Sequence, residues 1–103
     1  MLDRDIVTNY RETVISISII REQVAWNRRH GLPIQSMLKQ QGPLINELMR
    51  FEDIMDSISD RRIRIALCCR YALGMSERDT AAVMGLERNT VRRICAEALQ
   101  RLS

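Results

Sequence analysis

The sequence predicts an all-α chain, a long N-terminal helical hairpin followed by a C-terminal helix-turn-helix, and three observations carry that reading. Apolar residues recur at helical spacing in each long segment. Composition agrees: of 103 residues only 4 are Gly and 2 are Pro, aromatic content is 4%, and Leu, Ile, Met, Ala, Arg and Glu dominate. The lone strand candidate, VISISII at residues 14–20, alternates apolar residues with serine and is β-branched, but no second candidate exists to pair with it. A chain of this length makes one domain or a small module with a helical extension, which excludes two large domains. The expected division is a hairpin over residues 1–59, for packing or dimerisation, and a helix-turn-helix module over residues 60–103.

The first helix is expected over residues 3–29. Ile6, Tyr10, Val14, Ile17 and Val24 fall on one stripe, widened by Val7, Ile15, Ile19 and Trp26, and the helix would be about 39 Å long. Gly31 and Pro33 should end it, one as a C-terminal cap, the other as a residue that cannot continue the ladder. Residues 34–40 suit a short helical turn. Gly42 and Pro43 then mark a fresh start, with proline in a first helical turn. Leu44, Leu48, Phe51, Met55 and Ile58 follow at spacings of four, three, four and three, a seam able to pack antiparallel on the first helix. Ser57 and Asp60 can cap the next helix, on which Ile63, Ala66, Leu67 and Tyr71 face inward as far as Gly74.

The stretch GMSERDTAAVMGLERNTVRRICAEALQRL, residues 74–102, organises the rest. Ser76 can cap a short helix whose first turn holds Glu77 and Asp79, placed well for the macrodipole, and Gly85 can end it in a left-handed conformation. Ala81 and Ala82 are small enough for a second helix to cross closely. On that second helix Val91, Ile94, Ala98, Leu99 and Leu102 form one apolar stripe, with Cys95 on or beside it as a small core residue. Its opposite face is basic. Arg88, Asn89, Thr90, Arg92 and Arg93 occupy the first two turns, where a recognition helix reaches base edges, and Asn89 suits bidentate binding of adenine. Ser76, Arg78, Arg61, Arg62 and Arg64 are candidate phosphate contacts, a solvated role being equally consistent with the last three. The competing reading is a helical hairpin with an arginine-rich solvated face.

At these residues the sequence resembles a family, the fourth region of bacterial sigma factors. Gly74, Met75, Ser76, Met84, Gly85, Val91, Arg92, Ile94, Ala98, Leu99 and Leu102 fall without a gap on that family's pattern of a Gly-Leu-Thr opening, an acidic pair, a Leu-Gly ending and a basic helix closing in Ala-Leu-x-x-Leu. Arg70, Tyr71 and Gly74 extend the match, which covers about the last 45 residues. Thr80 departs from it, standing where an aliphatic residue is usual. So does Glu87, where Ser or Thr usually caps; glutamate suits the helix dipole but caps more weakly. The chain also resembles small phage regulators that carry such a module alone. The resemblance implies a sequence-specific transcriptional regulator of phage or mobile-element type, with double-stranded DNA as partner and RNA polymerase as a second candidate. It does not imply a complete sigma factor, because residues 1–59 hold no aromatic and basic region for opening promoter DNA.

Charge supports a nucleic-acid partner. The chain carries net +3; from Asp60 onward 9 Arg stand against 5 acids, net +4, leaving 7 basic and 8 acidic residues before it, net −1. An enzyme is not expected: no nucleophile with a matching base, no phosphate loop and no metal constellation stands out. Ser36 and Lys39 match a Ser-x-x-Lys spacing, but the other motifs of the enzymes that use it are missing. Glu47, Glu52, Asp53 and Asp56 read as a solvated face. Three cysteines with two adjacent, Cys68 and Cys69, do not make a disulfide framework, which suits a reducing compartment. One histidine, His30, leaves no zinc site, and no cofactor is implied. With neither a signal-like start nor an 18-residue apolar run, no membrane partner and a cytoplasmic location are expected.

Two further expectations concern partners. A helical adaptor that touches RNA polymerase without binding DNA is the alternative function. A single helix-turn-helix contacts about half a typical operator, and the first helix is apolar over more of its circumference than one partner covers. A homodimer through residues 6–26 is therefore expected, with a C-terminal module folded back onto this helix as the alternative.

Overall fold

Helical periodicity, not the strand-like alternation of residues 14–20, decides the backbone. In the computed structural model, which describes residues 2–102, every regular element is a helix. They are α1 (Asp3–Thr8), α2 (Tyr10–Arg29), α3 (Gln35–Ser57), α4 (Arg61–Leu67), α5 (Glu77–Met84) and α6 (Arg88–Arg101).

Two expectations are corrected here. The single helix over residues 3–29 is interrupted at Asn9, whose φ of −97° and ψ of 6° leave the helical region. Asparagine interrupts readily because its side chain competes for backbone hydrogen bonds. The stripe shifts with it: Val14 is 36% exposed, while its neighbour Thr13 is 7% exposed. The second correction is at Gly42 and Pro43, where α3 runs on without a fresh start. Proline forfeits one ladder bond, to Lys39. Lys39, Gly42 and Pro43 are all exposed, so water can take that carbonyl, while Met37 and Leu44 stay half-buried on either side.

α2 and α3 run in opposite directions. Asp3 pairs with Arg50 at 2.8 Å, Thr13 Oγ1 donates to Glu47 Oε2 at 3.1 Å, and Asn27 Nδ2 lies 4.0 Å from Met37 Sδ. Polar groups thus mark both ends of the buried face of α2, with Ile17 and Val24 between them. Asn27 is satisfied by donating to the Pro33 carbonyl at 2.9 Å and accepting from Gln23 at 2.8 Å.

The main core lies elsewhere. Ile6 and Val7 of α1 and Phe51, Ile54 and Met55 of α3 close on Ala66 and Leu67 of α4, Ala81 of α5, and Val91, Cys95 and Ala98 of α6. Tyr10 stacks on Phe51 with centroids 4.0 Å apart. The cluster takes nothing from residues 11–50, which therefore form an arm. The radius of gyration is 16.6 Å, against about 13 Å for a compact chain of this length.

Candidate nucleic-acid interface

Local chemistry sets α5 and α6. The Ser76 hydroxyl accepts from the Asp79 amide at 3.0 Å, capping α5 as its sequence predicts. Gly85 ends α5 at φ +67°, and the Leu86 amide reaches back to the Ala81 carbonyl at 3.0 Å. Glu87 occupies the cap position of α6 in extended conformation and makes no side-chain cap bond; its carbonyl alone receives the Thr90 and Val91 amides. Val91, Cys95 and Ala98 then bury one face of α6 while Thr80 and Ala81 bury one face of α5.

The stretch leading into α5 is held from two sides. α4 continues as a π-turn over Cys68–Ala72, in which the Leu73 amide bonds the Cys68 carbonyl at 2.9 Å. The Arg70 guanidinium donates to the Met75 carbonyl. Arg11 of α2 lies over Gly74, which takes φ +68°; a Cβ there would approach the Arg11 side chain to 2.7 Å. These contacts fix the chain just ahead of Ser76 and Glu77.

Glu77 is the residue that the sequence reading missed as part of the site. Its carboxylate accepts from Arg92 in a two-pronged bond, Nη2 to Oε1 at 3.0 Å and Nε to Oε2 at 3.1 Å, and lies 3.7 Å from Arg88 Nε. The hydrogen bond from Arg92 holds the Glu77 carboxyl below the usual carboxylate range, and raises the Arg92 guanidinium in turn. From sequence, its position in an acidic first turn predicts only a favourable charge for the helix dipole. The four-residue interval that aligns Arg88 and Arg92 on one helix edge was the available signal.

The five residues assigned to groove reading do not share one face. At about 100° per residue, Arg88 and Thr90 stand roughly 200° apart on α6, with Arg92, Asn89 and Arg93 between them at about 40°, 100° and 140° from Arg88. The central arc therefore holds Arg92, Asn89 and Arg93, together with Ala96 and Gln100, and all five are exposed. Arg88 sits at the α5 edge, where Ser76, Glu77 and Arg78 share a shallow depression with it. Half-buried Thr90 falls at the other edge, in an open groove shared by Arg93, Glu97, Arg101, Asp60 and Arg62. Arg62 thus joins the α6 flank and Arg101 is a basic residue not anticipated there, although Arg93, Glu97 and Arg101 recur every four residues. Arg61 and Arg64 do not line this groove.

The arrangement is an exposed, charged helix face. Among the described residues no group of three His, Cys, Asp or Glu side chains converges as a metal site, and no helix is long and apolar enough to cross a membrane. Cys68, Cys69 and Cys95 are free, and burial pushes the Cys68 and Cys95 thiols up. Comparison with known proteins returns no matching family model, no matching curated protein and no matching solved structure.

Proposed function

We propose that α5, the turn at Gly85 and α6 act as a helix-turn-helix on a module spanning residues 60–103, and that the chain is a sequence-specific DNA-binding transcriptional regulator. The observation that carries this is the exposed arc of Arg92, Asn89 and Arg93 in the first two turns of α6, on a helix held against α5 by an apolar face. Asn89 offers the donor and acceptor pair suited to an adenine edge, and Arg93, which makes no ion pair among the described residues, suits guanine or phosphate. Arg88 and Arg78 at one edge, and Arg62 and Arg101 at the other, would then contact flanking phosphates. Resemblance to region four of sigma factors, quoted above, supports the same reading.

The second reading, an adaptor that touches RNA polymerase without DNA, draws on Glu77, which satisfies Arg88 and Arg92 within the chain. Binding to random duplex DNA across a salt series separates them. DNA reading requires affinity that falls steeply with salt, and Arg93→Ala lowers the slope by about one if that residue touches a phosphate, or costs about 1 to 3 kcal/mol on a selected site if it reads a base. Affinity absent at every salt concentration leaves the adaptor.

A further inference from the structure

The arm leaves one face of α2 uncovered, and that face carries a regular stripe. Glu12, Ile15, Ile19, Glu22, Trp26 and Arg29 follow at spacings of three, four, three, four and three, and all six are exposed, Ile15 by 53%, Ile19 by 61% and Trp26 by 45%. Alternating threes and fours keep side chains on one seam, as in a coiled coil. α3 occupies the opposite side through Thr13, Ile17, Val24 and Asn27, and among the described residues the seam stays open, with Ala72 reaching only its first end in an open pocket beside Ile15.

The spacing reads the same in both directions, so the stripe can lie on a reversed copy of itself with first against last. Two-fold symmetry requires such self-matching. Glu12 of each copy then faces Arg29 of the other, Ile15 faces Trp26, and Ile19 faces the stem of Glu22 beside the axis. The pairing is complementary in charge at both ends and apolar between them except for the two Glu22 carboxylates beside the axis. A parallel in-register pair would instead set Glu12 on Glu12, Glu22 on Glu22 and Arg29 on Arg29. Among the described residues neither Glu12 nor Arg29 has an ion-pair partner in its own chain. Trp26 is already steadied by stacking on His30 with centroids 4.0 Å apart.

We propose that the occupant of this face is a second copy of the chain, held by an antiparallel α2–α2 contact. The stripe is about 26 Å long, and one helix pair buries less than an obligate interface, so dissociation on the order of micromolar is expected. The inference does not rest on DNA binding: a monomer that binds DNA would end it and leave the proposed function standing.

Sedimentation equilibrium of the full chain at about 100 µM, well above that constant, tests the idea. The expected mass is twice 12.0 kDa. Ile19→Glu should return the mass of one chain with helical circular dichroism unchanged, and Glu22→Leu should tighten the dimer by removing two charges near the axis. Glu12→Arg should weaken it roughly tenfold by making both end pairs repulsive. Combining Glu12→Arg with Arg29→Glu should restore it, a rescue that folding defects cannot mimic. A single-chain mass for the wild type, including one that instead captures an unrelated protein, overturns the proposal. So does a dimer indifferent to Ile19→Glu, and so does failure of the charge swap to restore what Glu12→Arg removes.

Discussion

The α4–α6 cluster and the α2–α3 arm are both made of amphipathic helices, yet they bury different things. In the cluster, Ala66, Leu67 and Val91 are fully buried and the apolar stripe of α6 is the stripe its spacing predicts. In the arm, the buried face of α2 includes Thr13 and Asn27 while Ile15, Ile19 and Trp26 face outward. A helix enclosed by several neighbours must satisfy them with apolar volume, so hydrophobic pattern and burial agree. A helix with one partner along most of its length is free to aim its seam by specific hydrogen bonds, here Thr13 to Glu47 and Asn27 to the Pro33 carbonyl. Its surplus apolar surface is then left for something outside the arm.

The contrast is broken most sharply by truncation. Leu67→Ala empties a fully buried site at the junction of α4 with the core, and should cost about 2 to 5 kcal/mol in urea unfolding. Met49→Ser, on the exposed side of the arm, should stay within about 0.5 kcal/mol. Similar costs for both would mean that the arm and the cluster are not differently enclosed.

Thr80→Val sharpens the same comparison with a smaller effect of opposite sign. Thr80 is fully buried and its hydroxyl has no hydrogen-bond partner. Valine keeps the shape and removes an unsatisfied oxygen, so stability should rise by about 1 kcal/mol. A loss of stability on thermal unfolding would show that the hydroxyl is satisfied in solution.

Glu77 gives the smallest effect, and a signed one. Its folded-state carboxyl is held below its ordinary value by Arg92, so the pair contributes at neutral pH and is lost as pH falls through the lowered folded value. An NMR titration of its side chain should find a midpoint below that of a free glutamate, returning toward the ordinary value in Arg92→Ala. An unmoved midpoint in that variant would detach Glu77 from Arg92.

Much of this was legible in the residues. Ser76, Gly85 and Asp60 act as caps where their side chains and position predict, because caps are decided by neighbours in sequence. The break at Asn9 and the passage of α3 through Pro43 were not, since each depends on what lies opposite and what stays in water. The π-turn at Cys68–Ala72 had no local signal either: along it Cys69 is buried and Arg70 reaches the Met75 carbonyl, a contact made only once the chain has turned toward α5. At the candidate site, the residue types on α6 were readable. Their division into an arc and two flanks needed the neighbours, above all Glu77.

The claim that α6 rather than the arm meets DNA is tested most directly by mapping chemical-shift changes as a selected duplex is added. Changes centred on Asn89, Arg92, Arg93, Ala96 and Gln100, fading at Thr90 and absent from Ile15, Ile19 and Trp26, are the result expected. Changes confined to α2, or none at DNA concentrations that saturate a basic protein, would contradict it.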